Sequence, residues 1–366
     1  MSSYDPSIFH PETPWTLGVE LEVRLIDAHT FAPANRSTYL FEHLPAQLRP
    51  HVHKELLQSM VEIVTPICTH AQEAADFIAQ TLHTLGHIGQ EKGIALAALA
   101  THPFEHKADN VRFPDPRYDR LAEELQIVLD NFLISGLHIH VALPDAAAAI
   151  NAYNTSIHAL PLFLALSANS PFALGEDTGL QSYRSKIFER LPRAGIPEYF
   201  ATYGRYCALI DRLRTSGTIE SIKDVWWDVR IHQMLGTIEL RVSDAFFEPE
   251  RLRLLVLFYQ ALVRYSANHP QTREPCQISR QNKWNAIRHG LEGAFIGHEG
   301  TGTIREAIRA WIALLEREGI FHALGEPHAA HDLMTLSEQQ TIAQKQRNIY
   351  RQTGEWSAVI DAEVIR

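Results

Sequence analysis

Four short stretches of the chain alternate aliphatic and polar residues with a period of two, as strands do when one face is buried and the other is not. In TLGVELEVRLI, Leu17, Val19, Leu21, Val23 and Leu25 alternate with Gly18, Glu20, Glu22 and Arg24, so the two glutamates share a face. GLHIHVAL sets Leu137, Ile139, Val141 and Leu143 against Gly136, His138, His140 and Ala142. GTIELRVS sets Ile238, Leu240 and Val242 against Thr237, Glu239, Arg241 and Ser243. QSMVEIV, less regular, aims Gln58, Met60 and Glu62 opposite Val61 and Ile63. WDVRIHQMLGTIELR reads as a hairpin turning through Gly236, with Asp228 and Arg230 on one face near Glu239 and Arg241. His51 and His53, in RPHVHKEL, have no such aliphatic back and read as a loop.

Helical spacing predicts a helix over 72–92, where Ala75, Ile78, Ala79, Leu82 and Leu85 recur, and another over 117–130, through Leu121, Leu125, Val128 and Leu129. Further helices are expected over 146–168, 249–267 and 303–318; Pro249 suits the first turn of its helix, where a missing N–H costs nothing. Strands and helices follow one another irregularly, without repeats or linker-like segments. The expected fold is therefore α+β, a mainly antiparallel sheet with helices on one face and the other face open, in a single domain over residues 1–366.

Charge narrows the function. With a net charge of −10, the 366-residue chain lacks the basic surface of a nucleic-acid binder, so an anionic ligand must be met by local arginines or by metal. Three scattered cysteines, Cys68, Cys207 and Cys276, fit a reducing, cytoplasmic setting. MSSYDPSIFHPETPW has no signal-peptide pattern, and no apolar run is long enough to span a bilayer. Small molecules are the expected partners, and the long amphipathic helices leave room for a homo-oligomer.

The candidate chemistry lies on the polar faces of the strands. Carboxylates at i and i+2 of a strand stand about 6.6–6.8 Å apart, close enough for their side chains to converge on one ion or flank two. Unpaired buried carboxylates are costly, so Glu20, Glu22, Glu62 and Glu239, with Glu55 and the imidazoles of His138 and His140, require cations or protons. That oxygen-rich set suits Mg²⁺ or Mn²⁺ better than Zn²⁺. Arg230 and Arg241 could clamp phosphate or carboxylate oxygens. HEGTGT, residues 298–303, reads as a flexible loop, and no GxxxxGK[ST] sequence is present to form a P-loop.

GVELEV, KELLQSMVEIVTP, GLHIHV, WDVR, GTIELRVSDA and QNKWNAIRHGL, in this order over nearly the whole chain, resemble the bacterial carboxylate–amine ligases of the glutamate–cysteine ligase type 2 family. SANSPF, DTGLQSYR and PRAGIP are similar to it as well. The resemblance implies a glutamine-synthetase-like fold, a curved antiparallel sheet holding divalent ions, ATP and an amino acid. It implies ATP-dependent amide formation through an acyl phosphate, with L-glutamate and L-cysteine as substrates. By position it makes Glu20, Glu22, Glu62, His138 and Glu239 metal ligands, Arg241 a phosphate contact and Arg288 a further one; Glu239, Arg241 and Arg230 form the expected catalytic group. Arg184 and Arg193 are candidates to grip substrate carboxylates. Leu21 stands where many relatives carry an acidic residue, but its parity places it on the core side. Two rivals remain: a metal-dependent amide hydrolase using His138 and His140, and a relative that binds metal and nucleotide without catalysis.

Overall fold

The computed structural model describes residues 5–270, 273–298 and 300–366. Met1–Tyr4 of the amino-terminal stretch and Glu299 of HEGTGT lie outside the described residues. The centre is an antiparallel sheet of seven strands: β1 (Leu17–Asp27), β2 (Val52–Lys54), β3 (Met60–Val64), β4 (Ile94–Ala97), β5 (Gly136–Ala142), β6 (Val229–His232) and β7 (Thr237–Asp244). The order is β6-β7-β5-β1-β3-β2, with β4 also on β1. The eleven-residue β1 holds the sheet together: β3 runs along one edge, while β5 takes residues 17–21 and β4 takes residues 24–27 of the other.

The aliphatic face is sealed as the alternation requires. Val19, Leu21, Val23, Leu25, Leu137, Ile139, Val141, Ile238 and Leu240 are fully buried, and burying a side chain of this size contributes about 1.5–3 kcal/mol. Three helices cover them: α1 (Ala71–Gln90), α3 (Ala146–Ser167) and α4 (Pro249–Asn268). α3 is apolar on all sides because it packs between the sheet and other helices. Pro249 occupies the first turn of α4, as expected.

The polar face is only partly open. α2 (Pro116–Leu125) and the short helix Tyr183–Phe188 fold over one end of it, where Leu56, Met60, Tyr118, Leu125, Leu129 and Phe188 form a second core. Arg24 ties down the segments that flank α2 on both sides. Its buried guanidinium pairs with Glu105 and donates to the carbonyls of Leu99 (3.1 Å) and Leu133 (2.6 Å).

Several local expectations change. The helix expected over 117–130 breaks at Gln126, whose φ of +48° ends α2 before a separate turn over Ile127–Asp130. His51 precedes a short edge strand rather than a loop, and His53 lies within it. Val52 provides the buried back, and His53 stands across from Glu62. Gly300–Thr303 of the expected loop is a strand paired with Ala294–Gly297. The largest change is a β-bulge in β7: Leu240 pairs with Ile139 but Ser243 pairs with Leu137. Because the extra residue inverts alternation, Ser243 joins the core side and Asp244 takes the polar side. The hairpin between β6 and β7 forms as read, and Gly236 is required there: φ is +61°, and a Cβ would lie 2.0 Å from the Ile8 carbonyl oxygen.

Replacing Arg24 with Ala leaves Glu105 buried without its counter-charge, which costs about 3–5 kcal/mol. Chemical denaturation should show that loss, and a change below about 1 kcal/mol would refute Arg24 as the tie.

Candidate active site

Sheet register assembles the site. β1 and β3 set Glu22 across from Glu62, β1 and β5 set Glu20 across from His138, and β5 and β7 set His140 across from Glu239. β6 then sets Arg230 across from Glu239. Directly opposed residues share a face, so one continuous polar row crosses five strands. Three overlapping groups result: Glu20, His140 and Glu239; Glu20, Glu62 and His138; Glu22, Glu55 and Glu62. Within each group the nearest side-chain oxygens and nitrogens lie within 4.8 Å of one another. Glu55 joins from the segment between β2 and β3, where one of its oxygens accepts the Leu56 N–H at 3.0 Å. Glu20, Glu22, Glu55, Glu62 and His138 line a cavity of about 250 Å³ under the α2 cover.

The carboxylates are not equivalent. Burial raises the Glu239 pKa, but Arg230, Arg241 and His140 outweigh it and hold the carboxyl ionised. Arg230 grips it with two nitrogens, at 2.5 and 3.2 Å, and Arg241 pairs with its other side. Glu20 is also driven well below its ordinary range, because His140 and His138 overcome its burial. Glu55 and Glu62 behave oppositely. Burial, reinforced by neighbouring carboxylates, pushes Glu55 to about 8 and Glu62 well above the ordinary carboxylate value. Ionised and protonated acids thus stand side by side in one cavity.

This donor set fits a divalent cation held mainly by oxygen. His140 Nε2 is buried without a hydrogen bond, 3.2 Å from a Glu20 oxygen and 3.8 Å from a Glu239 oxygen. A cation among these groups would satisfy the orphaned nitrogen and the clustered acids together.

The arginines divide into two sets. Arg230, Arg241 and Arg184 line the cavity. Arg184 is buried over β5: its guanidinium lies 5.3 Å from the centre of the Phe188 ring and donates to the carbonyls of Arg241 and Val242 (both 3.3 Å), and among the described residues its Nε has no hydrogen-bond partner. Gly136 makes that seat, since a Cβ there would lie 2.3 Å from the Arg184 guanidinium. Gly136 N also donates to Glu22 at 2.5 Å. Arg193 and Arg288 lie elsewhere. Arg193 stacks on Trp226 and pairs with Glu124 at 3.0 Å, while Arg288 donates to the Gly179 carbonyl at 2.6 Å.

Arg117, Lys223 and His232, which no motif in the sequence marks, also line the cavity. Sequence reading also missed Lys283, whose buried ammonium bonds Asp228 at 2.6 Å and Glu189 at 2.8 Å. QNKWNAIRHGL carried the family resemblance, and helix α5 (Cys276–His289) delivers Lys283 from it. Nothing in its spacing points to Asp228, because the pair is 55 residues apart in sequence.

Two solved ligases share this fold. The chain superposes on glutamate–cysteine ligase from Francisella tularensis, solved with AMP, at a TM-score of 0.69 and 12% identity, covering 97% of this chain and 88% of that one. It also superposes on a bifunctional glutathione synthetase from Pasteurella multocida at 0.68 and 15%, covering 95% of this chain and 51% of that one. The model of the glutamate–cysteine ligase family 2 (GCS2) matches residues 16–361, and the chain belongs to this family. Relatives named "Putative glutamate–cysteine ligase 2" include one from Thermobifida fusca, 35% identical over 97% of this chain and 92% of its own length. Another, from Herpetosiphon aurantiacus, is 32% identical over 99% and 94% respectively. The chain is an ATP-dependent ligase that forms carbon–nitrogen bonds. Among the described residues no helix is long and apolar enough to cross a membrane, and Cys68, Cys207 and Cys276 form no disulfide.

A raised carboxyl pKa in the folded state means that the neutral form stabilises the fold at low pH, and that this stability is lost as pH rises through the folded value. The metal-free protein should therefore melt several degrees lower at pH 9 than at pH 6, with Glu55 titrating near 8 and Glu62 contributing in the same direction. Mg²⁺ should raise the melting temperature more at pH 9 than at pH 6. A Glu55→Gln, Glu62→Gln variant that keeps the full pH dependence would contradict this origin.

Proposed function

We propose that the chain joins the γ-carboxyl of L-glutamate to the amine of L-cysteine, converting ATP to ADP and phosphate through a γ-glutamyl phosphate. The observation that carries this reading is the row of carboxylates and imidazoles facing buried guanidiniums across one cavity. Family membership supports the glutamate and cysteine substrates, and the AMP bound by the Francisella ligase supports a nucleotide site.

A carboxylate resists attack by an amine because its charge repels the nucleophile and oxide is a poor leaving group. Transfer of the γ-phosphoryl group to a carboxylate oxygen breaks the Pγ–O bond to ADP and gives an acyl carbon that phosphate can leave. The amine then forms the C–N bond, phosphate departs with the C–O electron pair, and the nitrogen loses its proton to solvent. Mg²⁺ or Mn²⁺ held by Glu20, Glu22, Glu55, Glu62, His138, His140 and Glu239 would supply charge neutralisation at the phosphate oxygens.

Arg241, anchored by Glu239 at the bulge, meets the charge on the transferring group. Arg230 holds Glu239 in the orientation that this requires. Among the described residues no carboxylate bonds Arg184, so it offers a guanidinium to a substrate anion. No side-chain nucleophile enters the scheme, and no cysteine lines the cavity. An amide hydrolase centred on zinc would need fewer oxygens and more nitrogen ligands than this face provides.

ADP release should require Mg²⁺, glutamate and an amine together, and hydroxylamine should trap the activated acyl group as γ-glutamyl hydroxamate. Glu239→Ala and His138→Ala should each lower turnover by about 100-fold or more while leaving circular dichroism unchanged. Undiminished rates in both, or Zn²⁺-dependent peptide cleavage without ATP, would overturn the reading. Gly136→Ala sets a Cβ against the flexible end of Arg184 and 3.1 Å from His138 Nε2, both in the cavity, so kcat/KM should fall by about 10–100-fold with little loss of thermal stability.

A further inference from the structure

A cavity of about 490 Å³ lies on the opposite side of the helical layer from the carboxylate row and shares no lining residue with the cavity there. A hairpin of β8 (Ala294–Gly297) and β9 (Gly300–Thr303), helix α6 (Ile304–Arg317) and one turn of α3 enclose it. Its volume falls in the range of small-molecule sites, about 300–1,000 Å³.

The lining has a definite chemical preference. Phe295, Trp311 and Leu314 form apolar walls, and Trp311 is set edge-on against Tyr265, with ring centroids 6.1 Å apart. Two carboxylates, Glu274 and Glu306, face the same space with the imidazoles of His158 and His298, and among the described residues no lysine or arginine lines it. Both are fixed: Glu274 bonds His298 at 2.7 Å, and Glu306 accepts the Thr303 N–H at 2.7 Å and its hydroxyl at 3.1 Å. The Thr303 bonds also hold the Glu306 pKa below its ordinary value, so that carboxylate is charged at neutral pH.

Fixed negative charge beside aromatic faces repels nucleotides, phosphates and the carboxylates of amino acids. It favours a cation that can also bury an apolar body, through ion pairing and cation–π attraction. We propose that this cavity is a binding site for a small apolar organic cation, a protonated amine carrying a hydrocarbon or aromatic group, separate from the catalytic cavity.

The test titrates the full chain at pH 8 with 2-phenylethylammonium, followed by calorimetry and tryptophan fluorescence. One saturable site is expected, with 3-phenylpropionate, similar in shape and opposite in charge, binding at least about tenfold more weakly. Glu274→Gln should weaken binding by about fivefold, Trp311→Phe should remove the fluorescence change, and Ala307→Phe, which fills the cavity, should abolish binding. Ala310→Trp, at a more exposed lining position, is a second way to block the site should Ala307→Phe misfold. Equal binding of the ammonium and the carboxylate would overturn the proposal, as would binding that survives in whichever blocking variant folds.

Discussion

The arrangement depends on one electrostatic constraint: a sheet whose register gathers acids on one face must also supply what neutralises them. Glu22 facing Glu62 is a like-charge pair at adjacent positions of neighbouring strands, an arrangement that destabilises a sheet on its own. Each end of the row answers differently. At the β6–β7 end, two guanidiniums and an imidazole keep Glu239 ionised. At the β3 end, where among the described residues no guanidinium bonds Glu55 or Glu62, burial favours the protonated forms of those acids instead. The gradient from paired to protonated acids follows the row, and it marks where added positive charge has most to gain.

This explains why the aliphatic side of the sheet is so regular. Holding acids in a poorly solvated row costs stability, and the compensating burial lies directly behind them, in Val19, Leu21, Val23, Ile139, Val141, Ile238 and Leu240. One alternating sequence therefore encodes both the cost and its offset. The cover over the row is a separate device. Arg24 belongs to the same polar face as Glu20 and Glu22, yet its guanidinium is taken up by Glu105 and the carbonyls of Leu99 and Leu133, in the segments that flank α2.

Alternation made much of this legible. Parity alone put Glu20 with Glu22 and His138 with His140, and the coincidence of four such strands pointed to a shared hollow. Features that failed to show were those in which backbone geometry or long-range contact decides. Ser243 was misplaced because the bulge after Leu240 cannot be seen in a period-two count. The β2 strand was missed because a three-residue edge has too little pattern, and the break at Gln126 because a positive φ at glutamine has no sequence signal. Among the arginines, type suggested anion binding for Arg184, Arg193 and Arg288 alike. Only the partners separate them: Arg193 has Glu124 and Trp226, Arg288 has a loop carbonyl, and Arg184 has the Phe188 ring and backbone oxygens but, among the described residues, no bonded carboxylate.

Lys283 ties a segment far from the sheet to the strand beside the polar row. Its ammonium neutralises Asp228, and the Asp228 carbonyl accepts the Arg241 N–H at 2.8 Å beside the bulge. The neighbouring Asn282 and Asn285 bond the backbone of Ile296 and Ala294, at 2.9 and 2.7 Å, in the hairpin that borders the outer cavity. α5 is thus clamped from both sides: one turn fixes the strand that aims Arg241, and the same turn carries the hairpin. Buried ion pairs are weak sources of net stability but are strongly directional. Placed here, the pair serves geometry, because a shift of α5 would move Asp228, and with it the backbone that sets the direction of Arg241.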